Sequence, residues 1–206
     1  VFIAGDIVTV VLTSDIQAFD GTPMKISCSW SFTIAANYGG GTFALQSILP
    51  VGDEPQSVFA ADLDKDTDMD MAVANANSDN VSVLLNQGKG VFYPDSSYPA
   101  GDQPWSIIVA DLDDDGYLDL VTANSNSDNV SILLNQGNGT FTPYPDYPVR
   151  SQPHSVVASD LNGDGKLDLA IANAGTDDVS ILLNQGNAVF TQQVAFPMVD
   201  YPASLC

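Results

Sequence analysis

Short apolar runs recur along the chain, each closed by a cluster of Gly, Asn and Asp. In one copy they occupy residues 57–61, 71–74, 81–85 and 91–93. Runs of this length, rich in Val, Ile, Ala and aromatic residues and bounded by turn formers, predict strands rather than helices. Four of them in succession predict a four-stranded antiparallel meander. The third run is apolar on both faces near its end (Leu84 and Leu85, Leu133 and Leu134, Leu182 and Leu183), as in a strand sandwiched between two neighbouring sheets. The second is rich in Ala, which lets sheets approach closely.

The pattern is periodic. Asn86-Gln-Gly-Lys-Gly-Val-Phe92 returns as Asn135-Gln-Gly-Asn-Gly-Thr-Phe141 and as Asn184-Gln-Gly-Asn-Ala-Val-Phe190, each time 49 residues on, with a fainter copy at Asn37-Tyr-Gly-Gly-Gly-Thr-Phe43. A fixed period of this length marks a repeat architecture. The expected fold is all-β, a tandem set of four-stranded antiparallel blades forming a β-propeller or an open blade array. The expected units are residues 1–49, 50–98, 99–147 and 148–196, with 197–206 beginning a further repeat. The first unit is degenerate: the positions that carry Asp62, Asp66 and Asp70 in the second unit hold Thr13, Gln17 and Gly21. Only Asp15 falls on an acidic position there, so no metal loop is expected, although residues 7–12 and 31–35 still read as strands.

Composition narrows the partners. Among 206 residues, 26 are acidic and five basic, a net charge of −21. Such a surface repels nucleic acid and anionic membranes and attracts cations. No stretch nears the roughly 20 apolar residues of a membrane span, so no membrane insertion is expected. The two cysteines, Cys28 and Cys206, allow one disulfide, two thiols or an intermolecular bridge.

The acids are concentrated in three nine-residue loops between the first and second runs. They read Asp62-Leu-Asp-Lys-Asp-Thr-Asp-Met-Asp70, Asp111-Leu-Asp-Asp-Asp-Gly-Tyr-Leu-Asp119 and Asp160-Leu-Asn-Gly-Asp-Gly-Lys-Leu-Asp168. Oxygen-bearing side chains at positions one, three, five and nine suit Ca²⁺, which takes six to eight hard oxygen ligands. These are Asp62, Asp64, Asp66 and Asp70; Asp111, Asp113, Asp115 and Asp119; and Asp160, Asn162, Asp164 and Asp168. Position seven, held by Asp68, Tyr117 and Lys166, would add a backbone carbonyl. Without a cation, two like charges about 4 Å apart repel by about 1 kcal/mol in water and about 4 kcal/mol at an effective dielectric of 20. Three Ca²⁺ are expected, one per loop. An EF-hand would need an acid at position twelve, where this chain has Val73, Thr122 and Ile171.

Loop, spacing and context resemble the FG-GAP repeat in its bacterial VCBS-like form. The resemblance covers roughly residues 44–196. It implies calcium held between the first two strands of each propeller blade, and seven blades as the common count. Two loops depart from the family pattern: Thr67 replaces the usual Gly in the first, and Asn162 replaces Asp in the third.

No catalytic constellation stands out, and the chain is expected not to be an enzyme. The single histidine, His154, has no Cys or Glu in a recognisable spacing and reads as a variable loop or strand-edge residue. Trp105, Tyr93, Tyr98, Tyr144, Tyr147 and Tyr201 fall near prolines in the connections, where packing over sheet ends is the favoured role and sugar platforms the alternative. Asn80, Asn129 and Asn138 begin glycosylation sequons. The expected function is a secreted or cell-surface structural and adhesive repeat, stabilised by calcium and joined head to tail with other copies into a filament, with a lectin-like propeller that binds glycans as the alternative.

Overall fold

The computed structural model describes residues 7–11, 29–33, 48–93, 96–192, 195–198 and 202–205. The chain divides into two units, Val1–Ser47 and Ile48–Cys206. In the first, β1 (Ile7–Val11) pairs antiparallel with β2 (Ser29–Thr33), placing Ile7 opposite Thr33. The first strand falls where the apolar run predicted it; the second begins two residues earlier than the run. Thr13, Asp15, Gln17, Gly21 and both cysteines lie outside the described residues.

In the second unit the period becomes three antiparallel meanders, the tandem blades. The first runs β3 (Pro55–Ala61), β4 (Asp70–Asn75), β5 (Asn80–Leu84), β6 (Ser96–Pro99). The second runs β7 (Pro104–Ala110), β8 (Asp119–Asn124), β9 (Asn129–Asn135), β10 (Phe141–Pro148). The third runs β11 (Pro153–Ser159), β12 (Asp168–Asn173), β13 (Asp178–Asn184), β14 (Phe190–Gln192), and β15 (Phe196–Pro197) also pairs with β13. Each first strand opens on a proline, which is tolerated there because the first residue of a strand need not donate to the ladder.

The fourth strand corrects the sequence reading. In the first blade residues 91–93 contribute only an isolated bridge, Asn86 with Phe92, and the outer strand is Ser96–Pro99. In the second blade one continuous strand covers both stretches and bends at a bulge between Tyr144 and Tyr147.

Neighbouring residues on one strand serve two cores. Leu120 packs with Leu63, Val81, Val83 and Ile107 between the first and second blades. Val121 packs with Val156, Leu169 and Ile171 between the second and third. Both are fully buried, and each such side chain contributes about 2 kcal/mol of transfer free energy. The alternation is the period of two in a strand buried on both sides. Outer strands are pinned by a repeated aromatic pair: Tyr98 meets Phe141 edge-on at 5.4 Å, and Tyr147 meets Phe190 at 5.3 Å. The Tyr147 hydroxyl donates to the Ala188 carbonyl at 3.0 Å and accepts the Phe190 N–H at 3.2 Å, and burial raises its pKa above the ordinary value. Tyr98 and Tyr147 are therefore packing residues.

In two places a serine of a first strand receives a backbone N–H from farther along the chain. Ser57 Oγ accepts the Ile107 N–H at 3.3 Å, and Ser155 Oγ accepts the Leu205 N–H at 3.0 Å. Leu205 lies two repeat lengths after Ile107, so it meets the third blade with the contact that Ile107 makes to the first. The same strands share a bulge. Pairing passes from Pro55–Asn75 to Ser57–Ala74, and identically at Pro104/Ser106 and Pro153/Ser155, leaving Gln56, Trp105 and His154 as the extra residues.

Candidate calcium loops

Each acidic loop winds on itself by backbone donors meeting its own carboxylates. In the second loop the Asp115 N–H donates to Asp113 Oδ1 at 3.2 Å, the Gly116 N–H to Asp111 Oδ2 at 2.9 Å, and the Tyr117 N–H to Asp115 Oδ1 at 2.7 Å. The first loop repeats this through Asp66 to Asp64 (3.1 Å), Thr67 to Asp62 (3.1 Å) and Asp68 to Asp66 (2.8 Å). Such side chain to backbone turns are the ordinary preference of Asp. Positions four and six take the left-handed conformation: φ is 64° at Lys65 and 77° at Thr67, 61° at Asp114 and 83° at Gly116, 81° at Gly163 and 85° at Gly165. Glycine adopts this freely, whereas β-branched Thr67 holds it at a cost.

With one oxygen of a carboxylate engaged by the backbone, the other turns inward. Asp62 Oδ1 and Asp111 Oδ1 are buried and have no hydrogen-bond partner. Carboxylate oxygens of Asp62, Asp64 and Asp70 lie within 4.8 Å of one another, as do those of Asp111, Asp113 and Asp115. Burial first, and the like charges of the loop after it, raise the pKa of Asp64 and Asp113 above the ordinary carboxylate value. Buried, unpartnered, mutually repelling hard oxygens are the donor set a divalent calcium ion satisfies. The residues of these two loops fit the ion.

Position nine has a second task. Asp119 is completely buried, and its two oxygens accept the N–H groups of Leu112 (3.0 Å) and Asn135 (2.9 Å). Burial pushes its pKa up to about 6 against the lowering effect of those two donors. Asp70 receives Leu63 and Asn86, and Asp168 receives Leu161 and Asn184, in the same way. This residue thus ties the loop to the start of the fourth-strand turn, and in the first loop it also joins the acidic triad.

The third loop differs in its charges. Asn162 replaces a carboxylate, both oxygens of Asp160 already accept backbone N–H groups (from Gly163 at 2.7 Å and Gly165 at 3.0 Å, among others), and Lys166 Nζ sits 3.2 Å from Asp164 Oδ2. The backbone donors to Asp160, and the Lys166 N–H followed by its ammonium at Asp164, lower both pKa values. Among the described residues no acidic triad gathers there, so the geometry found in two loops does not extend to the third. The backbone N–H groups of Asp68, Tyr117 and Lys166 all bond to position five, keeping position seven against the loop.

Other residues singled out by sequence fall elsewhere. Trp105 and His154 stack at 4.9 Å and 14°, both on bulges. The side-chain oxygens of Asn80 and Asn129 accept from Asn75 and Asn124 inside the sheet-end network, whereas Asn138 is exposed on its turn with its oxygen accepting from Thr140. Sequence reasoning took the Asn-Gln-Gly motif for a turn and missed its asparagine. Asn135 and Asn184 are buried, and each reaches into the loop of the preceding blade. Their exact recurrence every 49 residues was the available signal.

The model of the FG-GAP-like repeat matches residues 68–122, 111–171 and 160–206, the first two matches running from one acidic loop into the next and the third beginning in the last loop. These matches cover more than half of the chain, which belongs to the FG-GAP-like repeat family. Solved structures share the fold. A protein from Lactobacillus plantarum matches with a TM-score of 0.53 and 16% identity over 75% of this chain and 45% of that one. BBS1N in a complex with ARL6DN, in a crystal soaked with mercury, matches with a TM-score of 0.54 and 12% identity over 76% of this chain and 48% of that one. The chain spans about half the length of the structures it matches. A comparison with curated protein sequences gives no match. No helix among the described residues is long and apolar enough to cross a membrane.

Proposed function

We propose that this chain is a non-enzymatic, extracellular repeat protein whose blades are made rigid by calcium and whose role is structural or adhesive. The observation carrying the reading is the pair of buried, unpartnered oxygens, Asp62 Oδ1 and Asp111 Oδ1, at the centre of acidic triads. The ion supplies the positive charge that lets these carboxylates share one small volume. Asp62, Asp64, Asp66 and Asp70 hold it in the first loop and Asp111, Asp113, Asp115 and Asp119 in the second. The third loop takes calcium more weakly, because Lys166 must first leave Asp164. Thermal melting with calcium and with a chelator tests this, since an ion bound only by the folded form raises the midpoint. An unchanged midpoint overturns it.

Copies associate head to tail in the same proposal. Docking of one type recurs along the chain, Ile107 on Ser57 and Leu205 on Ser155, and the association reuses that contact between copies. Light scattering in calcium buffer tests this, and a strictly monomeric species at micromolar concentration overturns it. A second reading, a carbohydrate-binding surface, is favoured by one feature: Trp105 is 38% exposed on a bulge and backed by His154. Bulges re-aim side chains beside functional sites. Saturable glycan binding lost in Trp105→Ala would favour that reading.

A further inference from the structure

The position-nine carboxylates of the three loops are joined by an unbroken series of hydrogen bonds. Asp70 Oδ2 accepts the Leu63 N–H at 2.8 Å, and the carbonyl of that same Leu63 accepts Asn135 Nδ2 at 2.8 Å. The backbone N–H of Asn135 then donates to Asp119 Oδ1 at 2.9 Å. From there the pattern repeats one blade on. Asp119 Oδ2 accepts the Leu112 N–H, the Leu112 carbonyl accepts Asn184 Nδ2 at 2.8 Å, and the Asn184 N–H donates to Asp168 Oδ1 at 2.8 Å.

The asparagine is fully committed. An amide nitrogen carries two hydrogens. Asn135 donates from Nδ2 to Leu63 in the preceding loop and to Leu118 in its own (2.9 Å), while its oxygen accepts the Gly137 N–H at 2.9 Å. Asn184 does the same with Leu112, Leu167 and Gly186. Both side-chain amides are matched, and the bonds to Leu63 and Leu112 are buried, so neither residue can move without leaving a buried acceptor unpaired. A second tie runs beside the first: Lys65 of the first loop lies 4.0 Å over the ring of Tyr117 in the second.

We propose that Asn135 and Asn184 are positioning residues that couple the calcium loops of neighbouring blades, so that filling one loop raises the affinity of the next. This rests on the reading that the loops bind calcium. The coupling is one of shared ordering. An ion in the second loop fixes Asp119, which fixes Asn135, which holds Leu63 at the start of the first loop. The first loop then has less freedom to lose when its own ion arrives, which is positive cooperativity. By linkage the effect is reciprocal.

Calcium titration of the full chain, followed by hydrogen exchange segment by segment, gives a separate midpoint for residues 62–70. Disabling the second loop with Asp115→Ala is expected to raise the calcium midpoint of residues 62–70 by about fivefold or more. In an Asn135→Ala background the same disabling is expected to shift that midpoint clearly less, the Lys65–Tyr117 contact being the tie that remains. Equal shifts in both backgrounds, or no shift in either, overturn the coupling. No calcium-dependent protection anywhere in the parent chain overturns the binding reading instead. Should Asn135→Ala fail to fold, Asn184→Ala carries the same test between residues 111–119 and an Asp164→Ala third loop, with the same two outcomes.

Discussion

Thr122 Oγ1 donates to Asn124 Oδ1 at 2.9 Å, a bond that the equivalent Val73 and Ile171 cannot make for Asn75 and Asn173. The side-chain oxygens of those two asparagines are accordingly buried and unpartnered. Val73→Thr is expected to stabilise the fold by about 0.5–1 kcal/mol by supplying the missing donor, and Thr122→Val to cost about 1–2 kcal/mol by creating a third orphan. Chemical denaturation of the two variants checks both signs. If Val73→Thr destabilises by as much as Thr122→Val, the account is wrong.

Gly139 sits where an added Cβ would lie 2.8 Å from the Leu85 side chain, and its φ is +72°. The equivalent residue in the next blade is Ala188, buried with φ 55°, in a pocket with room for the methyl. Gly139→Ala is expected to cost about 2 kcal/mol through overpacking, and Ala188→Gly to change stability by less than about 1 kcal/mol. Unfolding curves at one temperature separate the two.

Thr67 holds φ at 77° where the second and third loops place Gly116 and Gly165. Thr67→Gly should therefore raise the unfolding free energy of the calcium-free chain by about 1 kcal/mol, the order of strain stored by a β-branched residue in that region. Melting in chelator is the measurement. A lower midpoint would mean that lost chain stiffness outweighs the relieved strain.

Burial lowers the pKa of His154 below its ordinary 6.5. The unfolded chain therefore takes up a proton more readily than the folded one, so this group's contribution is fully present above 6.5 and is lost as pH falls through the lower folded value. His154→Gln, which copies Gln56 at the same bulge, is expected to remove that component. The stability difference between parent and variant should shift toward the variant between pH 7 and pH 5. A difference independent of pH would count against it.

Much of this was legible before any coordinates. Leu133 and Leu134, with their counterparts in the other repeats, announce a strand buried on two sides, and the Asp spacing of the three nine-residue segments announces the loops. The outer strand was misplaced because residues 94–99 are Pro, Asp, Ser, Ser, Tyr and Pro, which read as a connection. Backbone pairing to β5 and the seat of Tyr98 on Phe141 make a strand of Ser96–Pro99 all the same. The third loop carried the right letters, but a lysine at position seven and an asparagine at position three discharge it, an effect of side-chain reach that spacing does not encode. Asn135 was overlooked because its partner, Leu63, lies 72 residues away.

The serine seat has a consequence for how such chains can arise. The joint recurs in the same register two repeat lengths apart, Ile107 on Ser57 and Leu205 on Ser155, each a serine receiving the backbone from farther along the chain. Duplicating or deleting one whole unit in the gene therefore leaves every type of contact intact. Length can drift by entire units while stability per unit stays nearly constant, as nearest-neighbour arrays allow. Natural variation in this lineage is expected in unit number before it is expected within the joint itself.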